Sequence, residues 1–172
     1  MANYEMLIPF IKKWEGGYVD DPDDTGGATN MGVTMATYEA YCRKKGYPRP
    51  TKCRLKAMSD ATWKEIFKTM YWDKCQGDRI NSQSVANMLV DWYWCSGNKA
   101  AKKTQKVLGL KQDGIIGPLS IAAINSKSPL PLFGMIAEER RAFIRNIVES
   151  NPVKRKYLRG WMNRINNIIF ED

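Results

Sequence analysis

The spacing of apolar residues constrains the fold of this chain most strongly, because several segments have apolar residues at the period of an α-helix. Two segments carry apolar residues at the spacing i, i+3, i+4, i+7, namely Leu7, Phe10, Ile11 and Trp14, and Trp63, Ile66, Phe67 and Met70. This spacing places apolar side chains on one face of an α-helix. The segment from Val85 to Cys95 is apolar nearly all round, which is typical of a buried central helix. The sequence therefore predicts a mainly α-helical fold.

Capping residues and glycines mark where these helices begin and end. The marking residues are Thr34 and Ser59 as N-caps, Gly46 and Gly109 as helix ends, and Pro118 as a first helical residue. A first helix is predicted over residues 3–15, with its regular part starting near Pro9. Residues 16–33 are rich in Gly, Asp, Thr and Asn, so we expect a long loop or small hairpin there.

Charge is distributed unevenly along the chain. Residues 1–95 carry 13 basic and 12 acidic side chains, whereas residues 96–172 carry 14 basic and 6 acidic ones, a net charge of +8. The composition changes at Ser96-Gly97-Asn98, so we predict one domain over residues 1–96 and a basic helical region over residues 97–172 packed on it. The basic part favours an anionic polymer, either a bacterial cell wall or a nucleic acid.

The chain contains no histidine. This absence excludes Ser-His-Asp and Cys-His nucleophile systems as usually built, and most zinc hydrolase sites. A hydrolase without histidine most readily works with carboxylates. The four cysteines, Cys42, Cys53, Cys75 and Cys95, form no Cys-x-x-Cys pair, so we expect no metal site. Because no secretory signal precedes them, we favour free thiols over the three possible disulfide pairings.

Glu15 is the leading candidate for a catalytic group. It follows the apolar stripe that ends at Trp14 and precedes Gly16-Gly17, so it stands at the C-terminal end of the first helix. The helix dipole and exclusion of water by Trp14 are both expected to raise the pKa of its carboxyl group. A carboxylic acid kept protonated near neutral pH can protonate a leaving glycosidic oxygen. From spacing alone, the alternative is a solvated glutamate before a turn.

Asp24 is the candidate for a second carboxylate. It lies nine positions after Glu15, where a returning loop can bring it across a cleft. There it could hold a water molecule or stabilise an oxocarbenium-like transition state, although Asp20, Asp21 and Asp23 compete for the role. The same acidic loop loosely resembles a calcium loop, but it lacks the twelve-residue ligand pattern.

Polar and aromatic residues near these carboxylates are candidates for contacts with sugar. Thr29 and Asn30 could orient water or sugar hydroxyl groups, with ordinary turn chemistry as the alternative. Tyr18 stands in the turn beside Glu15 and is the better exposed ring.

Tyr71-Trp72-Asp73 forms a second candidate group for sugar binding. Aromatic rings and a carboxylate can stack on sugar rings and hydrogen-bond to them. The alternative is core packing at the end of a helix, which we expect for one of the two rings.

Several long motifs of this chain resemble those of glycoside hydrolase family 108. The front motif comprises Glu15-Gly16-Gly17-Tyr18-Val19, then Asp21-Pro22, then the run from Gly26 to Thr34. Two further blocks are Tyr71-Trp72-Asp73 with Gly77-Asp78, and Asp91 with Ser96-Gly97. Blocks similar to the peptidoglycan-binding region of the family are Gly109-Leu110, the run from Asp113 to Pro118, and Arg159-Gly160-Trp161. This chain has Cys95 where the family usually has asparagine.

The resemblance implies a lysozyme-like helical domain followed by a helical peptidoglycan-binding region. It also implies an N-acetylmuramidase that cleaves the β-1,4 bond between N-acetylmuramic acid and N-acetylglucosamine, with Glu15 as the general acid and Asp24 assisting. In phage-type lysozymes, which share this spacing of Glu and Asp, a threonine lies six residues past the Asp. Here Asn30 stands at that point and Thr29 beside it, so Thr29 completes the expected catalytic set. The expected substrate-binding residues are Tyr18, Asn30, Tyr71, Trp72 and Asp73.

The expected partners are peptidoglycan glycan strands, with no cofactor, no nucleic acid and no membrane span. We expect a monomer that is made in the bacterial cytoplasm without a signal peptide. It would act at the cell wall after release or holin-type export. The alternatives are a lytic transglycosylase, a non-catalytic module that binds the wall or assists secretion, and a basic nucleic-acid binder, for which no motif is present.

Overall fold

A computed structural model of the chain describes residues 1–20 and 27–172. Within these ranges the helices are α1 (Ile8–Trp14), α2 (Met35–Lys45), α3 (Lys52–Lys56), α4 (Asp60–Phe67), α5 (Gln83–Ser96), α6 (Asn98–Leu108), α7 (Pro118–Asn125), α8 (Pro129–Ser150) and α9 (Arg155–Asn166). The strands β1 (Thr29–Asn30) and β2 (Val33–Thr34) form an antiparallel hairpin. These elements confirm the predicted mainly α, lysozyme-like fold with a small hairpin and a helical C-terminal region.

The chain forms two compact units, residues 4–73 and residues 74–172, and residues 1–3 belong to the second. The first unit contains α1 to α4 and the hairpin, and the second contains α5 to α9. Gly97, at a φ of +54°, separates α5 from α6. The boundary between residues 96 and 97 therefore coincides with a break between helices, and as a domain boundary it stays a prediction.

Local capping signals fix several helix ends as the sequence predicts. The Thr34 hydroxyl accepts the Thr37 N–H at 3.2 Å, and α2 ends at Gly46 with a φ of +71°. Helix α4 begins after Ser59, whose hydroxyl accepts the Thr62 N–H at 3.1 Å. Each cap satisfies backbone groups that a helix end leaves without a partner.

The core of the first unit forms along α4. Trp63, Ile66 and Phe67 are fully buried, and the rings of Trp63 and Phe67 stack with centroids 5.5 Å apart. The Trp63 indole N–H donates to the Met31 carbonyl at 2.9 Å. Because Met31 holds a φ of +49° in the two-residue turn of the hairpin, this bond stabilises a backbone conformation that is uncommon outside glycine.

Helix α5 is the buried centre of the second unit, as its sequence predicts. Its buried apolar residues are Val85, Ala86, Met88, Leu89, Val90 and Trp92. It packs against α6 and α8. None of the helices in the described ranges is long and apolar enough to cross a membrane.

A buried charged cluster joins α5 to α8 and α9. The carboxylate of Asp91 is completely buried and accepts hydrogen bonds at 2.7 Å from Arg140 and, through its other oxygen, from Arg164. The Arg140 guanidinium is only 3% exposed and also lies 3.6 Å from the Cys95 sulfur. We call Asp91, Arg140 and Arg164 the Asp91 cluster. It ties the middle of α5 to the middle of α8 and to the last turn of α9.

Candidate active site

Glu15 lies where α1 ends and the chain becomes extended. Its φ of −97° and ψ of 142° depart from helical values, and its N–H donates to the Lys12 carbonyl at 3.3 Å. Helix α1 itself is anchored by Ile11, which is completely buried. The side chain of Glu15 is partly exposed. Helix α1 therefore ends in a carboxyl-bearing residue that is partly exposed at the protein surface.

Glu15 is flanked along the chain by the half-buried Trp14 and by the Gly16-Gly17 pair. The Trp14 ring packs near Phe10, and its indole N–H is buried without a hydrogen-bond partner among the described residues. On the other side, no described heavy atom lies within 4 Å of the position where a Cβ of Gly16 or Gly17 would stand. Neither glycine has a positive φ. Among the described residues, none therefore blocks a ligand from the backbone at Gly16 and Gly17.

The chain after Glu15 returns to the hairpin. Val19 and Thr29 exchange two backbone hydrogen bonds of 2.8 Å in an isolated antiparallel bridge, and Thr29 pairs with Thr34 across the hairpin. The Thr29 hydroxyl lies 3.4 Å from the Gly27 carbonyl. The structure therefore places Thr29 between two extended segments, with Val19, four positions after Glu15, on one side and Thr34 on the other.

Asn30 points into the first unit. Its side chain is buried and its amide donates to the carbonyls of Leu55 at 2.9 Å and Lys56 at 3.2 Å. These carbonyls belong to the end of α3, where helices leave acceptors unsatisfied. Asn30 thereby ties the hairpin to α3. Its predicted contact with sugar stays a prediction, beside this structural role.

Replacing Asn30 with alanine is expected to destabilise the protein. The change removes two hydrogen bonds to carbonyls of α3, one buried at Leu55 and one part-buried at Lys56, at a cost of about 0.5–1.5 kcal/mol each. The measurement is the free energy of unfolding in urea. Asn146, which is exposed on α8, provides the matched control, since Asn146→Ala is expected to change that free energy by less than about 0.5 kcal/mol. Equal values for the two variants would refute the role of Asn30.

Tyr18 lies in a charged cluster at the surface. The Lys56 ammonium group is 5.5 Å from the centroid of its ring, and its hydroxyl lies 3.4 Å from the Asp20 carboxylate. Lys52 pairs with both oxygens of Asp20 at 3.0 Å. Desolvation and the neighbouring Asp20 carboxylate raise the pKa of Tyr18, so its hydroxyl remains a hydrogen-bond donor. The cluster offers a sugar ring an aromatic surface with two cations beside it.

The Tyr71-Trp72-Asp73 motif separates into a core residue and two residues nearer the surface. Trp72 is completely buried and lies near the ring of Tyr4, so one of the two rings packs in the core, as expected. Tyr71 is partly exposed, and its hydroxyl is 3.3 Å from the Thr37 hydroxyl. Asp73 is exposed and pairs with Lys68. Of the three, Tyr71 and Asp73 remain accessible to a ligand.

Comparison with known proteins identifies the family. Residues 8–97 match the family model Glycosyl hydrolase 108. The chain belongs to glycosyl hydrolase family 108. Residues 99–166 match a second model, described as a Predicted Peptidoglycan domain. The enzyme is therefore a glycoside hydrolase that acts on peptidoglycan.

A solved structure resembles this family-108 hydrolase over nearly its whole length. The structure of SagA from Brucella abortus is 31% identical in sequence, with a TM-score of 0.79. The similarity covers 96% of this chain and 90% of SagA. No curated protein matches the chain.

The acidic loop, a possible metal site and the cysteines are the other groups that the sequence singles out in this hydrolase. Asp24 lies outside the described residues, as do its competitors Asp21 and Asp23. Within residues 1–20 and 27–172, no group of three or more His, Cys, Asp or Glu side chains is arranged to hold a metal ion. The four cysteines form no disulfide, and burial raises the pKa of the Cys42 and Cys75 thiols, which keeps them unreactive.

Two contributors near the site escape sequence reasoning. Lys52 and Lys56 lie on α3, a helix too short to show a periodic apolar pattern, and both contact the Tyr18 segment across more than thirty positions of sequence. The one local signal is their spacing of i, i+4, which places both lysines on the same side of α3.

Proposed function

We propose that this family-108 hydrolase is an N-acetylmuramidase that cleaves the β-1,4 bond between N-acetylmuramic acid and N-acetylglucosamine. Glu15 acts as the general acid in this proposal. The observation that carries it is the position of Glu15 within the matched residues 8–97, partly exposed at the end of α1 and followed by Gly16-Gly17. Since the chain has no histidine, a carboxyl group is the natural proton donor.

In the proposed reaction the Glu15 proton passes to the glycosidic oxygen while the bond from that oxygen to C1 of N-acetylmuramic acid breaks. Positive charge develops on C1 and the ring oxygen, and a second carboxylate stabilises it or positions water. We assign that part to Asp24, with Thr29 helping to orient the water. Water then supplies a hydroxyl group to C1 and a proton that restores the acid.

The cluster around Tyr18 supports binding of the glycan next to Glu15. A sugar presents a C–H face that packs on an aromatic ring, and peptidoglycan stems carry carboxylates that pair with ammonium groups. Tyr18 supplies the ring, and Lys52 and Lys56 supply the cations. We assign further sugar contacts to Tyr71, which is partly exposed, and Asp73, which is exposed. Asn30 and Trp72 are buried, and we assign them no direct contact with sugar.

Analysis of the reaction products tests the proposed bond specificity. We expect digestion of purified sacculi to generate reducing ends that, after borohydride reduction, are all muramitol. A lytic transglycosylase instead leaves an anhydro ring that borohydride does not reduce. A glucosaminidase yields reduced N-acetylglucosamine. Either of these products as the main one would overturn the proposal while leaving the family assignment intact.

The proposal also covers the state in which the enzyme works. We propose a monomer that reaches the wall after cell lysis or through a holin-type pore. Membership of the family makes the chain a hydrolase rather than a non-catalytic wall-binding module.

A further inference from the structure

Helix α9 carries an exposed surface of two aromatic rings surrounded by cations. The rings are Tyr157 and Trp161, and we call them, with the basic residues Lys154, Arg155, Lys156 and Arg159, the α9 platform. The helix packs on α8, with Ile165 as its only buried residue. Most of the first two turns of α9 therefore face outward, and the residues there do little for the core.

The two rings form an ordered pair at the surface. Tyr157 and Trp161 stand at the spacing i, i+4, which places them side by side on a helix. Their centroids are 5.6 Å apart and the ring planes differ by 29°. Tyr157 is 49% exposed and Trp161 is partly exposed. The pair therefore exposes aromatic surface that an external molecule can contact.

The charge around the rings has one sign. No acidic residue occurs between Asn151 and Phe170 in the sequence. Within the described structure, none of Lys154, Arg155, Lys156 and Arg159 has an ion-pair partner. The Lys156 ammonium group instead lies 5.0 Å from the centroid of the Tyr157 ring. These uncompensated cations favour an anionic partner, over a distance limited by screening to about 8–10 Å at physiological salt.

We propose that the α9 platform is the site at which the C-terminal region binds intact peptidoglycan. The rings pack on the C–H faces of the glycan sugars, and the cations pair with the carboxylates of the peptide stems. Both features belong to the one polymer that the enzyme cuts, and the platform lies within the residues matched by the Predicted Peptidoglycan domain. The inference rests on peptidoglycan being the substrate of the enzyme, and it does not require Glu15 to be the general acid.

Two other anionic partners could contact aromatic rings and cations in a similar way. Single-stranded nucleic acid also stacks on aromatic rings and pairs with cations. A membrane of anionic lipids attracts amphipathic helices that insert an apolar face. In α9, however, the apolar side that includes Ile165 is used against α8, which leaves two rings rather than a continuous apolar face for insertion.

Binding of the full chain to purified sacculi tests the proposal. Sedimentation at 4 °C measures binding, and turbidity of the same samples measures hydrolysis, so a failure of Glu15 as the acid does not affect the result. We expect Tyr157→Ala and Trp161→Ala each to weaken binding about tenfold, which corresponds to about 1.4 kcal/mol. Trp161→Phe, which retains a ring, is expected to bind within about threefold of the wild type.

Removing the peptide stems separates the two kinds of contact. On glycan strands freed of stems by an amidase, we expect the ring variants to remain weak. The double variant Arg155→Gln/Lys156→Gln is expected to lose affinity, and salt dependence, only on intact sacculi. Activity of all these variants on a short soluble muropeptide should equal that of the wild type, because the platform anchors the enzyme to the wall.

Matched controls keep the result interpretable. Tyr47 is also 49% exposed and packs against another tyrosine ring, so Tyr47→Ala controls for the loss of a surface tyrosine. Lys127→Gln and Lys111→Gln control for loss of surface charge in the same unit. If a ring variant melts at a lower temperature than the wild type, the test relies on the double variant Arg155→Gln/Lys156→Gln instead. The proposal is overturned if the platform variants bind sacculi like these controls, or if they lose binding to single-stranded DNA or phosphatidylglycerol vesicles while retaining binding to sacculi.

Discussion

Replacing Glu15 with glutamine is expected to lower the rate of bond cleavage in peptidoglycan about 10²–10⁴-fold, the range that a general acid supplies. Glutamine has nearly the shape of glutamic acid but no proton that it can give to a leaving oxygen. Because the side chain is partly exposed and lies outside the core, the change should leave the fold intact. The measurement is release of reducing sugar from purified sacculi at saturating substrate.

The same substitution at Glu5 provides the control. Glu5 is exposed in the short 3-10 turn that precedes α1, in the same unit, so Glu5→Gln should retain wild-type turnover. Circular dichroism and thermal melting of both variants report on the fold. If Glu15→Gln cleaves sacculi at more than about half the wild-type rate, Glu15 is not the acid. A loss of similar size in both variants would point to an unspecific effect on the first unit.

Features encoded by a few neighbouring residues are those that the sequence predicts well. The N-caps at Thr34 and Ser59 are confirmed, and both involve a hydroxyl group and a backbone N–H three residues later. The helix end at Gly46 depends on one positive φ that glycine adopts easily. The exposed end of α1 at Glu15 follows equally from the Gly-Gly pair beside it. Such signals involve no distant part of the chain.

The apolar stripe of α4 shows where local reasoning fails. The spacing predicts that Met70 continues the buried face after Phe67, but the structure buries Thr69 and leaves Met70 partly exposed. The cause is a π-helical turn over Lys68–Trp72, which adds a residue to the turn and shifts the phase of every side chain after it. This shift also places Trp72 in the core. Nothing in the spacing of a single sequence announces a π-turn.

Contacts between segments that are distant in sequence also cannot be predicted from local patterns. The burial of Asn30 depends on two carbonyls at the end of α3, about 25 positions away. Helix α3 itself has five residues, which is too few to show periodicity, although Thr51 caps it. A polar residue beside a turn has the same local appearance whether it binds sugar or the protein's own backbone. The geometry of its partners is what distinguishes the two.

The second large effect is expected for Asp91→Ala, which should destabilise the fold by about 3–5 kcal/mol, the usual cost of breaking a buried ion pair. Asp91 is completely buried, and its removal leaves the Arg140 guanidinium, 3% exposed, close to that of Arg164 without an anion between them. Two like charges then remain in a poorly hydrated space. Urea unfolding of the full chain, followed by tryptophan fluorescence, measures the loss.

Asp60 is the matched control for this prediction, because it also pairs with two cations but at the surface. Its carboxylate contacts Lys12 and Lys64 and is 55% exposed, so Asp60→Ala should cost no more than about 1 kcal/mol. Replacing all three members of the Asp91 cluster with apolar residues should recover most of the lost stability, since no buried charge is left unpaired. A single Asp91→Ala variant as stable as Asp60→Ala would refute the cluster's role. Because Asp91 lies in the hydrolase match and both arginines lie in the peptidoglycan-domain match, the cost measures how firmly those two segments depend on each other.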